Sequence, residues 1–153
     1  MTANMSTKRT AHRAVILLNG KVLVTGGWDG SGTLRSAERY DPSTSTWVSI
    51  PDMSRYRLKH TASLLADGKV LVTGGYGGGY LNGVELYNPS TNSWTAMANM
   101  NGAREKHMAS VLLNGKVLVT GGANSSTSLN TADLYNPLTN TWTKVANMNI
   151  KRY

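Results

Sequence analysis

The apolar positions of this chain fall into short runs that return at a fixed interval. Val-Leu-Val-Thr stands at Val22–Thr25, Val70–Thr73 and Val117–Thr120, each time followed by two glycines. Each copy is preceded, across an Asn-Gly or Asp-Gly pair, by another apolar run that starts from a histidine. These histidines, His12, His60 and His107, are 48 and 47 residues apart. A self-similar period in the forties marks a repeat architecture in which each copy is one supersecondary unit.

Within one copy, residues 61–66 and 69–73 are apolar runs too short for helices, joined by Asp67-Gly68. Asn19-Gly20 and Asn114-Gly115 hold that place in the other copies, so the pattern predicts two antiparallel strands in a tight hairpin. The second strand is nearly continuous in apolar residues, as expected of a strand covered on both faces. The glycine pairs 26–27, 74–75 and 121–122 end it where a side chain would obstruct a bulge or a neighbouring backbone. After a variable loop, a third strand at 37–42, 84–89 and 132–137 ends in Tyr-Asp/Asn-Pro, a turn-setting sequence. A fourth begins at Trp47, Trp94 and Trp142 and runs to Met53, Met100 and Met148, with the tryptophans expected to be buried between units and to hold structure without touching ligand. The prediction is all-β: three four-stranded antiparallel meanders that cannot bury both faces alone and must stack, radially as in a propeller.

The double glycine, the Tyr-Asp/Asn-Pro turn and the tryptophan of the last strand, in this order in three copies, resemble kelch repeats over nearly the whole chain. The wording LLNGKVLVTGG with its Arg-x-x-His entry is similar to kelch repeats of the galactose-oxidase-like and multi-repeat type. The resemblance implies one propeller blade per repeat, with the His-led strand innermost. It also implies six or seven blades, whereas three are present, at approximately 9–54, 55–101 and 102–149 of a single unit 1–153. Residues 1–8 and 150–153 read as partial inter-blade linkers, because 3–9 and 146–152 repeat one another in form. The expectation is a half-propeller completed to six blades by a second copy.

Composition narrows the chemistry. The 153 residues include no cysteine, which removes disulfides, Cys-ligated metals and the Cys-Tyr cross-link that galactose-oxidase-type chemistry requires. No apolar run approaches the roughly 18 residues of a membrane span, and the N-terminus lacks the apolar core of a signal peptide. The expectation is a chain outside the membrane, with a cytoplasmic location favoured. Lys and Arg number 16 against 8 Asp and Glu, a net charge of +8 that favours acidic partners.

Ten of the 16 basic residues stand in the linkers that enter the innermost strands: Lys8, Arg9, Arg13, Arg55, Arg57, Lys59, Arg104, Lys106, Lys151 and Arg152. In a propeller these linkers share one face with the loops between second and third strands, which carry Trp28, Tyr76 and Tyr80. The candidate ligand-binding set is therefore Arg57, Lys59, Arg104, Lys106, Trp28, Tyr76 and Tyr80, with His60 and His107 at the channel mouth. Cations among aromatics suit acidic peptides or glycans. By resemblance, kelch adaptors bind acidic peptides with basic residues of this linker, and Lys59 and Lys106 fall at a comparable place. Arg9, Arg57 and Arg104 could instead bond to backbone carbonyls or to Glu38, Glu85 and Asp133.

No metal or cofactor is expected: the histidines are explained by repetition, and no Asp or Glu accompanies them at ligand spacing. The loop from Gly74 to Tyr80 lacks the Gly-Lys-Ser/Thr ending and the following helix of a phosphate cradle. No nucleophile-base pairing points to an enzyme. The expected function is a non-enzymatic binding or scaffold module that forms a homodimer and takes anionic peptide or protein ligands. A carbohydrate-binding propeller and an orphan or engineered fragment of a longer kelch array whose activity is self-assembly are the alternatives. Nucleic acid ranks lower, for want of a reader motif.

Overall fold

The computed structural model describes residues 4–153, so Ala3, which opens the repeated terminal pattern, lies outside the described residues. Three sheets follow one another along the chain. The first blade comprises β1 (Arg13–Ile16), β2 (Val22–Thr25), β3 (Ala37–Asp41) and β4 (Thr46–Ile50). The second comprises β5 (Thr61–Leu64), β6 (Val70–Thr73), β7 (Val84–Asn88) and β8 (Ser93–Met97). The third comprises β9 (Met108–Val111), β10 (Val117–Thr120), β11 (Ala132–Asn136) and β12 (Thr141–Val145). Each is an antiparallel meander whose strands pair in sequence order, and β5 packs between β1 and β9, so the His-led strands are innermost.

One local detail refines the sequence-based expectation and one differs from it. The Asn-Gly and Asp-Gly pairs close the tight hairpins through three-residue loops. Gly20 N–H donates to Leu17 O at 2.9 Å and Leu17 N–H to Lys21 O at 2.8 Å, closing a three-residue loop in which only Gly20, at φ 77°, is left-handed. Asn19 keeps an ordinary negative φ, so the pair forms a type I turn with a glycine bulge. The fourth strands also stop three residues early, at Ile50, Met97 and Val145. Beyond them the backbone leaves the ladder: Pro51 has no N–H to give, and Ala98 N–H donates to Asn140 Oδ1 of the third blade at 2.9 Å.

The core lies in the joints between blades. One cluster combines Leu17, Leu23, Ala37, Ile50 and Met53 of the first blade and its linker with Val70, Val72 and Tyr87 of the second. The next repeats it with Leu65, Leu71, Val84 and Met100 against Val117, Val119 and Tyr135. Every blade therefore has a trailing face that supplies leucines and a methionine and a leading face that supplies valines and a tyrosine. The glycine pairs let the linker close on this packing. A Cβ on Gly74 would stand 2.6 Å from Arg104 O, and φ is +59° there. Its neighbour Gly75 donates its N–H to that same carbonyl at 2.9 Å.

The tryptophans of the last strands are half-buried rather than enclosed. Trp94 and Trp142 lean on Tyr87 and Tyr135, with ring centroids 5.0 and 4.9 Å apart. They reach across each joint to donate indole N–H bonds to Pro51 O and Ala98 O, both at 2.8 Å. They belong to the seams but sit at the rim, where the indole edge stays wet.

Candidate functional site

The basic linkers divide into residues the fold consumes and residues it leaves out. Arg57 is fully buried: its guanidinium donates to Gly74 O at 2.8 Å, Gly83 O at 2.9 Å and Glu85 Oε1 at 2.8 Å. Arg104 is buried in the same way, on Gly121 O at 3.0 Å, Thr131 O at 3.2 Å and Asp133 Oδ2 at 2.7 Å. Arg9 does this in the first blade, with Glu38 Oε1 at 2.7 Å. Each guanidinium ties the entering linker to the β2–β3-type loop of its own blade, as a planar five-donor fork can and an ammonium cannot. Arg57 and Arg104 are therefore removed from the exposed candidate set, because both side chains are buried and their terminal nitrogens face carbonyls and a carboxylate.

His60 and His107 are removed on the same ground, being 0% and 1% exposed. His60 Nε2 lies 2.8 Å from Thr25 Oγ1, and His107 Nε2 lies 2.8 Å from Thr73 Oγ1, so each histidine of one blade meets the threonine ending the second strand of the blade before. Burial, reinforced by repulsion from Arg57 and Arg13, holds His60 well below its ordinary pKa. Burial with Arg104 and Arg13 nearby lowers His107 to about 3. Both are neutral at physiological pH. Among the described residues no group of His, Asp and Glu could hold a metal ion.

Lys59 and Lys106 remain outside. Both take the left-handed conformation, with φ of 53° and 54°, and Ala11 matches them at 52°. Their N–H groups bond inward, Lys59 to Ala11 O and Lys106 to Lys59 O, both at 3.0 Å, forming a backbone belt that steps from blade to blade. With the N–H fixed inward, the side chains are left on the surface. Lys106 is exposed and lies 4.9 Å from the Tyr153 ring centroid. Lys59 approaches Glu105 only loosely, at 3.5 Å.

Trp28, Tyr76 and Ala123 occupy one structural position, each bridged to the residue after the buried arginine: Thr10, Leu58 and Glu105. Trp28 is 40% exposed. Tyr76 and Tyr80 are half-buried and meet edge to face at 5.5 Å. Sequence reasoning missed Tyr56, which is 51% exposed and has the Arg35 guanidinium 5.5 Å from its ring centroid. A signal was present: Tyr56 adjoins Arg57, and in an extended linker the neighbour of an inward residue points outward. Asp29 was missed too. Bonds from Ser31 and Gly32 lower its carboxyl to about 2, so it is a fixed negative charge beside Trp28. The first blade thus has Ala11 where the other two have Lys59 and Lys106, and it carries Asp29 on its own loop.

The described residues contain no helix long and apolar enough to cross a membrane. A family model described as the Kelch motif matches three times, over residues 9–54, 57–101 and 106–149. The chain is similar to Kelch-like protein 35 of Mus musculus, with 44% identity over 48 residues, which is 31% of this chain and 8% of that protein's length. Three matched motifs coincide with three four-stranded antiparallel blades, and the chain belongs to the kelch-repeat family, whose repeats build protein-binding propeller modules.

Proposed function

We propose that this chain is a non-enzymatic binding module that presents its linker face to acidic segments of a partner protein, and that two copies close into a six-bladed ring. The observation that carries the binding role is the sorting of cations. The repeated arginines are neutralised inside the blades, while Lys59 and Lys106 stand outside on a rigid left-handed belt. The linkers and the loops bridged to them also carry Trp28, Tyr56, Tyr76 and Tyr80, whose rings offer apolar contact and polar edges. Acidic side chains would pair with the ammonium groups, and apolar neighbours in the same segment would lie on the rings.

Ring closure is supported by the two ends of the arc. Positions sealed at the internal joints are only half-buried there: Leu23 and Leu71 are 0% exposed but Leu118 is half-buried, and Val70 and Val117 are 0% exposed but Val22 is half-buried. Tyr40 compares in the same way with Tyr87 and Tyr135, and Met148 with Met53 and Met100. Among the described residues, neither His12 nor Thr120 makes the histidine-threonine bond that both internal joints contain. The open trailing face thus lacks what the open leading face carries. Two head-to-tail contacts close six blades, and three chains would give nine, beyond the roughly four to eight of propellers.

A fluorescent acidic peptide titrated into the protein tests the face. Affinity should fall as ionic strength rises from about 0.01 to about 0.15 M, where the Debye length shrinks from about 30 to about 8 Å. Replacing Lys59 and Lys106 by Ala should weaken binding without altering the melt. Salt-insensitive binding that ignores both lysines would reject the charge-led face, and glycan binding in its place would favour the carbohydrate alternative. Sedimentation tests the ring: a stable, well-folded monomer at micromolar concentration would overturn it.

A further inference from the structure

At an internal joint one linker performs two tasks. Residues 53–57 hold the blade behind, through Met53 N–H to Arg35 O at 3.0 Å, Arg57 N–H to Leu34 O at 2.9 Å and Gly27 N–H to Arg57 O at 2.7 Å. They also hold the blade ahead, through Ser54 N–H to Glu85 Oε2 at 2.7 Å and the buried Arg57 guanidinium. The linker at 100–104 repeats both sets, with the Asn101 side-chain amide, in place of a backbone N–H, donating to Asp133 Oδ1 at 2.8 Å.

The two chain termini each carry one half. The C-terminal segment makes the backward set in full: Met148 N–H to Asn130 O at 2.8 Å, Arg152 N–H to Leu129 O at 3.1 Å and Gly122 N–H to Arg152 O at 2.8 Å. Among the described residues it makes no forward set, and Arg152 is exposed. The N-terminal segment makes the forward set: Ser6 N–H to Glu38 Oε2 at 2.8 Å, and Arg9 to Gly26 O and Ser36 O at 3.0 Å each and to Glu38 Oε1 at 2.7 Å. Since one backbone makes both sets at the internal joints, Arg9 of one copy and Arg152 of the next require the same place when two copies meet.

We infer that the joint between copies is closed by a composite linker, running through Met148 of one copy and continuing from Ser6 of the other, and that residues 149–153 are a competitive cap which must leave. This rests on the ring reading above. The cap is the half that yields, because its contacts are replaceable. Arg9 O and N–H, once seated, can take Gly122 N–H and Leu129 O as Arg57 takes Gly27 and Leu34, so both backbone bonds of Arg152 are replaced and the hydrogen bond given up is the exposed one from Lys151 Nζ to Thr127 Oγ1, at 3.1 Å. Displacing Arg9 would instead empty a buried carbonyl and carboxylate socket. It would also break the reciprocal bonds between Thr10 and Trp28, both 2.9 Å, two residues before the His12 that the joint needs. Tyr153 aligns with Thr10 and its place on Trp28 is already filled; in the single chain it lies over Lys106 instead. The cap therefore masks both the trailing face and one ammonium group of the binding face.

Deleting residues 149–153 from the full chain tests this, with sedimentation and hydrogen exchange as readouts. The truncated chain should dimerise with a dissociation constant lowered about a hundredfold, the factor expected if each of the two caps covers its site about nine-tenths of the time and both must leave to close the ring. Arg152→Ala should leave the full chain's dimerisation unweakened, whereas Arg9→Ala should weaken it. As the full chain is concentrated, amides of 149–153 should lose protection and those of 6–10 gain it; this readout needs no variant to fold. Loss of dimerisation on truncation, or protection moving the opposite way, overturns the composite linker while leaving the ring intact. Monomers in every variant and at every concentration overturn the ring as well.

Discussion

His60 Nε2 of the second blade lies 2.8 Å from Thr25 Oγ1 of the first, both side chains are buried, and the contact recurs between His107 and Thr73. The histidines are folded in as neutral groups, with His107 lowered to about 3 from an ordinary 6.5. The unfolded chain therefore binds protons more readily, and the stability they contribute is fully present above about pH 6.5 and is lost as pH falls toward 3. The urea midpoint should drop between pH 6.5 and 4.5, before most carboxylates titrate. His107→Asn should flatten that slope, and an unchanged midpoint across the window would show the histidines are not the responsible groups.

Arg57→Ala should be among the most damaging single changes in the chain. It strands Glu85 and the carbonyls of Gly74 and Gly83 in a buried site, and breaking a buried pair from one side costs about 3–5 kcal/mol. Arg57→Lys should rescue little, since one ammonium cannot serve two carbonyls and a carboxylate in the fork's geometry. Denaturant melts at constant pH read both variants; a wild-type melt for Arg57→Ala would refute the socket.

For Trp94, shape and hydrogen bond can be separated. Trp94→Phe removes the indole bond to Pro51 O and part of the ring while keeping an aromatic group on Tyr87, and should cost at least about 1 kcal/mol. Trp94→Ala also removes the ring from Tyr87 and should cost more, though less than the roughly 3–5 kcal/mol of a fully buried aromatic, because Trp94 is half-buried. Trp28→Ala, at an exposed loop position, should melt within about 0.5 kcal/mol of the parent.

Gly74→Ala places a methyl against Arg104 O at 2.6 Å on a left-handed backbone, whereas a Cβ on Gly79 meets nothing within 4 Å. The first substitution should lower stability by about 1–3 kcal/mol or more, and the second should be close to neutral. Equal melting temperatures for the two would refute the close linker approach.

The order of elements was legible in the sequence because strand burial writes itself into hydrophobic period. The run Val70–Thr73 is covered on both faces and reads as continuous apolar residues, and the Tyr87-Asn88-Pro89 turn and paired glycines mark its neighbours. Identity at a repeated position also announced that Arg9, Arg57 and Arg104 share one environment. What that environment is depended on tertiary structure. A guanidinium in a linker has the same sequence signature whether it faces water or a carboxylate 28 residues away, as Arg57 does at Glu85. Only the approach of the β6–β7 loop to the linker decided that the arginines are structural. The left-handed turn of the belt then decided that Lys59 and Lys106, two residues further on, are left outside.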